Sequence, residues 1–309
     1  MRIVLVSPPQ ANKGGNSTTA DRWTGLLRGL GHTVSHGGGE GELLVALHAR
    51  KTASAIQGFR GPVIVAATGT DLYVDLPDSA EALRSLEIAQ QIVVLNHEAI
   101  RALPPACRPR ARVILQSVEK IEPMPAKDEP YTVLSIGHLR AVKDPLLVAE
   151  AATRLPLASR IRVVQIGAEL EPGIGDALSA YARKNERYRW AGPLPRHATL
   201  RTLAAAHLLV IASRLEGGAN VVGEAIVHGV PPFASRIDGN VGLLGSDWPA
   251  YFEPGDSAGL ATLLCRWEAD SGFRGELAAR CSALEIDFSL ARERAAWQAL
   301  LEPYDCLRT

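Results

Sequence analysis

The segment Ser213-Arg-Leu-Glu-Gly-Gly-Ala-Asn-Val-Val-Gly-Glu-Ala-Ile-Val-His-Gly229 is the most informative stretch of this 309-residue chain. It follows the apolar run Leu208–Ala212, which is typical of a β-strand, and it continues into residues that favour a helix. A strand, a tight glycine turn and a helix N-terminus expose backbone N–H groups that can bind an anion such as a diphosphate. Glu216 and Glu224, towards the two ends of the turn, can accept hydrogen bonds from hydroxyls. The pattern predicts a site for a molecule with a diphosphate between two polyols, such as a nucleotide-diphosphate sugar.

The composition predicts an ordinary globular protein. Hydrophobic residues make up 47% of the chain and charged residues 21%, and Lys+Arg equals Asp+Glu at 33 each. No net charge therefore attracts nucleic acid or an anionic membrane, and no apolar stretch approaches the ~18 residues of a transmembrane helix. The N-terminal apolar run is too short for a signal peptide, so we expect a cytoplasmic protein. The cysteines lack the spacing of metal ligands and are expected to be free thiols, and no metal or other cofactor is expected: Cys107, Cys265, Cys281 and Cys306.

Short β-branched runs alternate with helical patterns along the chain, which predicts parallel strands buried on both faces. A segment with three prolines, residues 122–130, is typical of a linker, and the alternation restarts after it. We therefore expect an α/β protein with two Rossmann-like, doubly wound domains, residues 1–121 and 131–287, facing a central cleft. The strand candidates are Arg2–Ser7, Leu43–Leu47, Val63–Ala67, Ile92–Leu95, Val113–Leu115, Tyr131–Gly137, Arg162–Gly167, Leu208–Ala212 and Val230–Ala234.

Ser213–Gly229 resembles the signature of retaining family-4 glycosyltransferases, which have the GT-B fold; the turn alone would fit a purely structural role equally well. Gly137-His-Leu-Arg-Ala-Val-Lys143 resembles the Gly-x-Leu-x-x-x-Lys phosphate-binding segment of that family. The resemblance implies that Glu224 binds the ribose hydroxyls of a nucleotide and that Glu216 is a catalytic residue that binds the hydroxyls of the transferred sugar. It implies diphosphate contacts for Gly217, Gly218, Ala219 and Asn220, and a final helix within residues 288–309 that crosses back to the first domain.

Cationic side chains in the Gly137–Lys143 segment can neutralise a diphosphate and stabilise the charge that develops on a leaving group. Lys143 and Arg140 are the candidates for this catalytic role. The family commonly has an arginine where this chain has His138, which leaves open whether His138 or Arg140 assists Lys143. The chain also departs from the family after Ser235, because Gly242 stands where a glutamate is usual.

Polar loops after three strands of the first half form a candidate acceptor site. The loop after the first strand is rich in donors and precedes a helix, an arrangement that suits an anion, although such a loop in GT-B proteins also fits a mere contact with the donor. Its candidates are Asn12, Lys13, Gly14, Gly15 and Asn16. His48 and Arg50 follow the second predicted strand, and Thr70 and Asp71 follow the third. We expect His48 to be catalytic and the others to bind an anionic acceptor.

The ordered set of these segments, from Gly15-Asn-Ser-Thr-Thr-Ala-Asp-Arg-Trp23 to Gly239-Asn-Val-Gly-Leu-Leu-Gly245, resembles the selenosugar synthases of selenoneine biosynthesis. That resemblance implies transfer of the sugar of UDP-N-acetylglucosamine or UDP-glucose to selenophosphate, which forms a C–Se bond. Three alternatives stay open: a family-4 transferase with a small hydroxyl or thiol acceptor, a sugar-nucleotide epimerase, and a sensor with a degraded site. No nucleic acid or membrane partner is expected.

Overall fold

Two six-stranded parallel sheets, each in its own unit, organise the computed structural model, which describes residues 1–8, 15–76, 78–122 and 130–305. Unit 1 consists of Met1–Ser117, Glu216–Asn220 and Asp287–Thr309. Unit 2 consists of Val118–Leu215 and Val221–Ile286. The short segment Glu216–Asn220 thus groups with unit 1, although the residues on both sides of it belong to unit 2.

The strands are β1 (Arg2–Val6), β2 (Thr33–His36), β3 (Leu43–Leu47), β4 (Val63–Ala67), β5 (Gln91–Val94), β6 (Ala111–Val113), β7 (Tyr131–Ile136), β8 (Ile161–Ile166), β9 (Tyr188–Trp190), β10 (Leu208–Ile211), β11 (Pro232–Ser235) and β12 (Tyr251–Phe252). The helices are α1 (Gly15–Gly29), α2 (Ala53–Gly58), α3 (Ala80–Ile88), α4 (Ala99–Ala102), α5 (Pro145–Thr153), α6 (Ile174–Lys184), α7 (Arg196–Ala204), α8 (Asn220–Val227), α9 (Asp238–Leu244), α10 (Ser257–Ala269), α11 (Ser271–Leu284) and α12 (Leu290–Asp305). Short 3-10 or π segments lie at Asp71–Asp75, Pro105–Arg110, Ala141–Lys143 and Glu285–Phe288.

The sheet of unit 1 has the order β2-β1-β3-β4-β5-β6, and all its strand pairs are parallel. Every residue of β3 and β4 is buried, as expected for central strands that helices cover on both faces. The strand order changes direction between β1 and β3. Ligands of open α/β sheets bind outside the carboxyl ends of the strands at such a switch point.

Helix α12 completes the core of unit 1. Trp297 of α12 and Trp23 of α1 are fully buried, and their rings meet edge to face with centroids 4.9 Å apart. The carboxylate of Glu293, also on α12, accepts hydrogen bonds from Trp23 Nε1 at 2.9 Å and from the backbone N–H of Ser117 at 2.8 Å. These bonds satisfy a buried charge and attach the C-terminal helix to the N-terminal one.

The sheet of unit 2 has the order β12-β11-β10-β7-β8-β9, again with every strand pair parallel. Its direction changes between β7 and β10, so the segments that follow these two strands leave the sheet at its switch point. The first of them is Gly137–Lys143, and the second begins at Ser213.

The predicted fold class is confirmed: both units are Rossmann-like and built on parallel sheets. Leu43–Leu47 and Val63–Ala67 form strands with the predicted limits, whereas β2, β9 and β12 were not predicted. The predicted domain limits, 1–121 and 131–287, stay predictions. Most of the predicted linker at 122–130 lies outside the described residues.

Candidate functional site

In unit 2 the Gly137–Lys143 segment turns sharply as it leaves β7. The backbone N–H of Gly137 still bonds to Ile166 O of the neighbouring strand at 2.9 Å. A β-carbon on Gly167 would lie 1.9 Å from Gly137 O, so only glycine permits this approach of two backbones. The chain then forms the short 3-10 turn Ala141–Lys143, and the side chains of Arg140 and Lys143 are half-buried.

His138 contributes a neutral imidazole to this segment. Burial lowers the pKa of His138 below its usual value, and the nearby charges of Arg140 and Lys143 lower it further. Its Nδ1 accepts the backbone N–H of Ala168 at 3.3 Å, so this nitrogen carries no proton. At neutral pH the positive charge of the segment therefore comes from Arg140 and Lys143.

An ion pair ties this segment to the residues that follow β10. Asp144, directly after Lys143, has a left-handed backbone with φ 44°, and its Oδ2 lies 2.7 Å from Nη2 of Arg214. The backbone N–H of Arg214 donates to Val142 O at 2.8 Å. The two segments that leave the switch point are thus joined by a side-chain contact and a backbone contact.

Glu224 lies on α8 with its side chain only 6% exposed. Nη2 of Arg196, the first residue of α7, lies 2.8 Å from Glu224 Oε1. Burying an unpaired carboxylate is costly, so Arg196 compensates for the burial of Glu224. Arg196 itself is 54% exposed, and its side chain reaches from the surface to the carboxylate.

In unit 1 the Glu216–Asn220 segment packs closely against the ends of β4 and β5. A β-carbon on Gly217 would lie 2.2 Å from Thr68 O and 2.3 Å from the Cα of Gly69, so a side chain at this position would clash. The fully buried Asn96 donates from Nδ2 to Gly217 O at 2.6 Å. These contacts position the backbone that carries Glu216.

Asn220, at the end of the same segment, contacts helix α1. Arg22 Nη1 donates to Asn220 Oδ1 at 3.3 Å and also to Gln116 Oε1. Gln116 Oε1 in turn accepts from Thr19 Oγ1 at 3.1 Å. The amide of Asn220 is therefore part of a polar network in unit 1.

His48, Arg50 and Thr70 meet beside Asp75 in unit 1. His48 is 1% exposed and has a left-handed backbone with φ 79°; its Nε2 lies 3.2 Å from Thr70 Oγ1 and 3.7 Å from Asp75 Oδ2. Arg50 Nε lies 3.0 Å from the same carboxylate oxygen, and this pair raises the pKa of Arg50. The pKa of His48 is lowered, because the effect of burial is larger than that of the Asp71 and Asp75 carboxylates, which raise it.

These contacts bear on the roles expected for the cluster. The buried His48 ring contacts Thr70 and Asp75, and Asp75 also pairs with the half-exposed Arg50. The catalytic role of His48 and the acceptor contact of Arg50 stay predictions.

Asp71 holds the loops of this cluster in place. Its fully buried carboxylate accepts backbone N–H groups from Ala49 at 2.9 Å, Thr68 at 3.0 Å and Gly69 at 2.8 Å. Three such bonds satisfy most of its acceptor capacity and join the segments after β3 and β4. Its predicted contact with the acceptor stays a prediction.

Several residues at these sites were not predicted from the sequence: Asp75, Asn96, Gln116, Asp144, Arg196 and Arg214. Each acts through a partner distant in sequence, so no local motif marks it. Asn12, Lys13 and Gly14 lie outside the described residues, whereas Gly15 and Asn16 begin α1. The described ranges hold no cluster of three or more His, Cys, Asp or Glu side chains suited to a metal ion.

None of the helices in the described ranges is long and apolar enough to cross a membrane. Residues 117–283, more than half of the chain, match the family model "Glycosyl transferases group 1". A comparison with curated proteins found no significant match.

Solved structures with the same fold cover nearly the whole chain. Alr3699/HepE from Anabaena, crystallised with UDP, is 15% identical, with 98% of this chain and 100% of that chain covered and a TM-score of 0.76. Sucrose-phosphate synthase (tll1590) from Thermosynechococcus elongatus is 15% identical, with 99% of both chains covered and a TM-score of 0.80. A glycosyltransferase from Rickettsia africae is 14% identical, with 100% of this chain and 99% of that chain covered and a TM-score of 0.76. The fold follows from these structures, and the family model establishes that the chain belongs to the group 1 glycosyltransferases with the GT-B fold.

Proposed function

We propose that this glycosyltransferase transfers the sugar of UDP-N-acetylglucosamine or UDP-glucose to selenophosphate. The observation that carries the donor half is the buried carboxylate of Glu224, whose Oε1 is held by Arg196 at 2.8 Å. In this proposal Glu224 binds the ribose, Lys143 and Arg140 neutralise the diphosphate, and Glu216 binds the transferred sugar. Alr3699/HepE, which shares the fold, was crystallised with UDP and with UDP-glucose, and this supports the choice of nucleotide.

The acceptor half rests on the ordered set of segments that resemble the selenosugar synthases. In unit 1, Arg50 is 44% exposed beside Asp75, and a small anion could exchange for that carboxylate. Selenium of selenophosphate is already anionic, so the reaction needs positioning more than a general base.

The proposed reaction has two steps, displacement of UDP by selenium and hydrolysis of the Se–P bond. Selenium donates an electron pair to the anomeric carbon, and the C–Se bond forms. The bond from that carbon to the β-phosphate oxygen breaks, and its electron pair leaves with UDP, whose charge Lys143 stabilises. Water then cleaves the Se–P bond, which yields the 1-selenosugar and inorganic phosphate.

The test is to incubate purified enzyme with each UDP-sugar and enzymatically generated selenophosphate, and to identify the products by mass spectrometry. A selenosugar that forms with wild type, and far more slowly with Lys143→Met, supports the proposal. Arg183→Met, an exposed substitution at the end of α6, is the matched control and should keep the wild-type rate. Ready glycosylation of a small hydroxyl or thiol compound without any selenosugar would overturn the acceptor assignment.

Binding of UDP alone tests the donor half. UDP should stabilise the protein against thermal unfolding more than ADP or GDP does, by about 2.7 kcal/mol at a hundredfold excess over its Kd. We expect the effect without added divalent metal. Equal stabilisation by all three nucleotides would contradict the assignment of a uridine nucleotide.

A further inference from the structure

We propose that Arg196 is a positioning residue that sets the Glu224 carboxylate for ribose recognition. The inference rests on the proposed function, because it assumes that Glu224 binds the ribose of the donor. It adds a residue from a different helix to the donor site of unit 2.

The carboxylate of Glu224 is buried beside Arg196. The Glu224 side chain is 6% exposed, and Oε1 accepts no aligned hydrogen bond within the described part of the chain, but it lies 2.8 Å from Nη2 of Arg196 in an ion pair. Because a buried carboxylate needs a counter-charge, this single contact determines how the group is held.

The place of Arg196 in its helix also points to a role in pairing with Glu224. It is the first residue of α7 and follows Pro195. A cation is unfavourable at a helix N-terminus, where the helix dipole is already positive. Local helix stability therefore does not explain an arginine at this position, whereas its pairing with the carboxylate on α8 does.

The backbone of Glu224 is fixed independently of Arg196. His228 Nδ1 lies 2.7 Å from Glu224 O within α8, and His228 Nε2 accepts the backbone N–H of Ile121 at 3.1 Å. Helix α8 is thereby attached to the segment at Ile121. Loss of Arg196 should reorient the side chain of Glu224 and leave its helix in place.

Loss of Arg196 should therefore weaken recognition of the ribose of the nucleotide. The charged hydrogen bond between Glu224 and the ribose is expected to account for a ten- to hundredfold difference in affinity. Arg196→Met should lower UDP affinity by about that factor, raise the apparent KM for the UDP-sugar, and change kcat less. Arg196→Lys keeps the charge but loses the planar fork, so it should restore the affinity only in part.

The discriminating experiment is calorimetric titration with UDP and with 2′-deoxy-UDP. Wild type should prefer UDP, and Arg196→Met should lose most of this preference because its affinity for 2′-deoxy-UDP changes little. The matched control is Arg189→Met, an exposed arginine on β9, which should retain the wild-type preference. Glu224→Gln should lose the preference as Arg196→Met does, and adding Arg196→Met to it should reduce UDP affinity no further.

The outcomes separate this inference from the proposed function. If wild type does not bind UDP, the proposed donor is wrong and the inference fails with it. If wild type binds UDP but makes no selenosugar, only the acceptor assignment fails. If Arg196→Met lowers the affinity for UDP and for 2′-deoxy-UDP equally, or changes neither affinity, Arg196 does not act through the ribose and the inference is wrong. Thermal unfolding of each variant shows that the comparison is made on folded protein.

Discussion

His138 provides a neutral imidazole at a position where the family commonly has a permanent positive charge. Burial and the charges of Arg140 and Lys143 lower its pKa in the ligand-free protein, whereas a bound diphosphate would favour the protonated ring, whose Nδ1 would then no longer accept the N–H of Ala168. Binding should then take up a proton, so we expect affinity for UDP-glucose to rise as the pH falls from about 7.5 to about 6. Calorimetric titration of UDP-glucose across this range measures the effect.

Two substitutions isolate the contribution of His138. His138→Arg should bind UDP-glucose more tightly at neutral pH and without the pH dependence, because arginine keeps its charge throughout. His138→Gln should lose the pH dependence without any gain in affinity. A pH dependence that persists in His138→Gln would show that another group takes up the proton.

Gly217 is the residue whose replacement has the clearest steric consequence. A β-carbon would lie 2.2 Å from Thr68 O. This oxygen belongs to the backbone, so it cannot move aside as the end of a flexible side chain could. Gly217→Ala should displace the Glu216–Asn220 segment or strain unit 1, at a cost of about 1–3 kcal/mol in the free energy of unfolding. Sugar transfer should fall more than UDP affinity, which we assign to residues of unit 2.

Gly25 provides the control for that substitution. It lies within α1, and a β-carbon there would meet no atom within 4 Å. Gly25→Ala should raise stability by roughly 0.5–1 kcal/mol, because alanine favours a helix interior. Chemical denaturation and initial rates of both variants make the comparison, and an unchanged rate in Gly217→Ala would show that the segment accommodates a side chain.

At the scale of elements, the Asp144–Arg214 pair joins the segments that follow β7 and β10. The Asp144 side chain is 15% exposed and its partner 58% exposed, so the pair is partly screened and contributes about 1 kcal/mol. Arg214→Met and Asp144→Asn should each lower the transfer rate severalfold by loosening the segment that carries Lys143. Asparagine tolerates the left-handed backbone at this position.

The double variant tests whether Asp144 and Arg214 affect the rate through their contact with each other. Arg214→Met combined with Asp144→Asn should be no slower than either single variant. The control is Glu150→Gln, which removes the exposed i,i+4 pair between Glu150 of α5 and Arg154, the residue directly after that helix, and should leave the rate unchanged. Additive losses in the double variant would mean that the two side chains act separately.

The elements that could be predicted from the sequence are those whose own residues are buried. All five residues of β3 and of β4 are buried and apolar, and both strands were predicted with correct limits. Strand β2 escaped prediction because Val34 is its only buried residue.

The residues of the candidate site fall into two groups, those that belong to local motifs and those whose roles come from contacts distant in sequence. Glu216, Glu224 and Lys143 belong to local motifs, so the sequence alone proposes them as site residues, and their roles stay predictions. Asn96 and Arg196 carry no motif, because their roles come from contacts with Gly217 and Glu224 that only the folded chain creates. A buried carboxylate implies a cationic partner, but the sequence does not say which arginine provides it.

At the scale of the whole molecule, unit 1 is assembled from both ends of the chain. Helix α12 packs Trp297 against Trp23 of α1, and Glu293 bonds to Trp23 and Ser117. Nothing in the local sequence of α12 specifies this partner. The return of the final helix was expected from the family resemblance and not from the residues themselves.

Glu293 should therefore determine much of the stability of unit 1, since it is 2% exposed and holds segments from both ends of the chain. Glu293→Ala would leave the indole N–H of Trp23 and the backbone N–H of Ser117 without their acceptor. Each buried group left unpaired costs about 1–3 kcal/mol, so the free energy of unfolding should fall by roughly 2–6 kcal/mol. Glu293→Gln should lower the free energy of unfolding less, because its carboxamide oxygen still accepts one of the bonds.

Chemical denaturation followed by tryptophan fluorescence measures the stability of both variants, with Glu302→Ala, an exposed position on the same helix, as the control. If Glu293→Ala unfolds at the same denaturant concentration as Glu302→Ala, the attachment of α12 depends on the Trp23–Trp297 contact instead of the carboxylate.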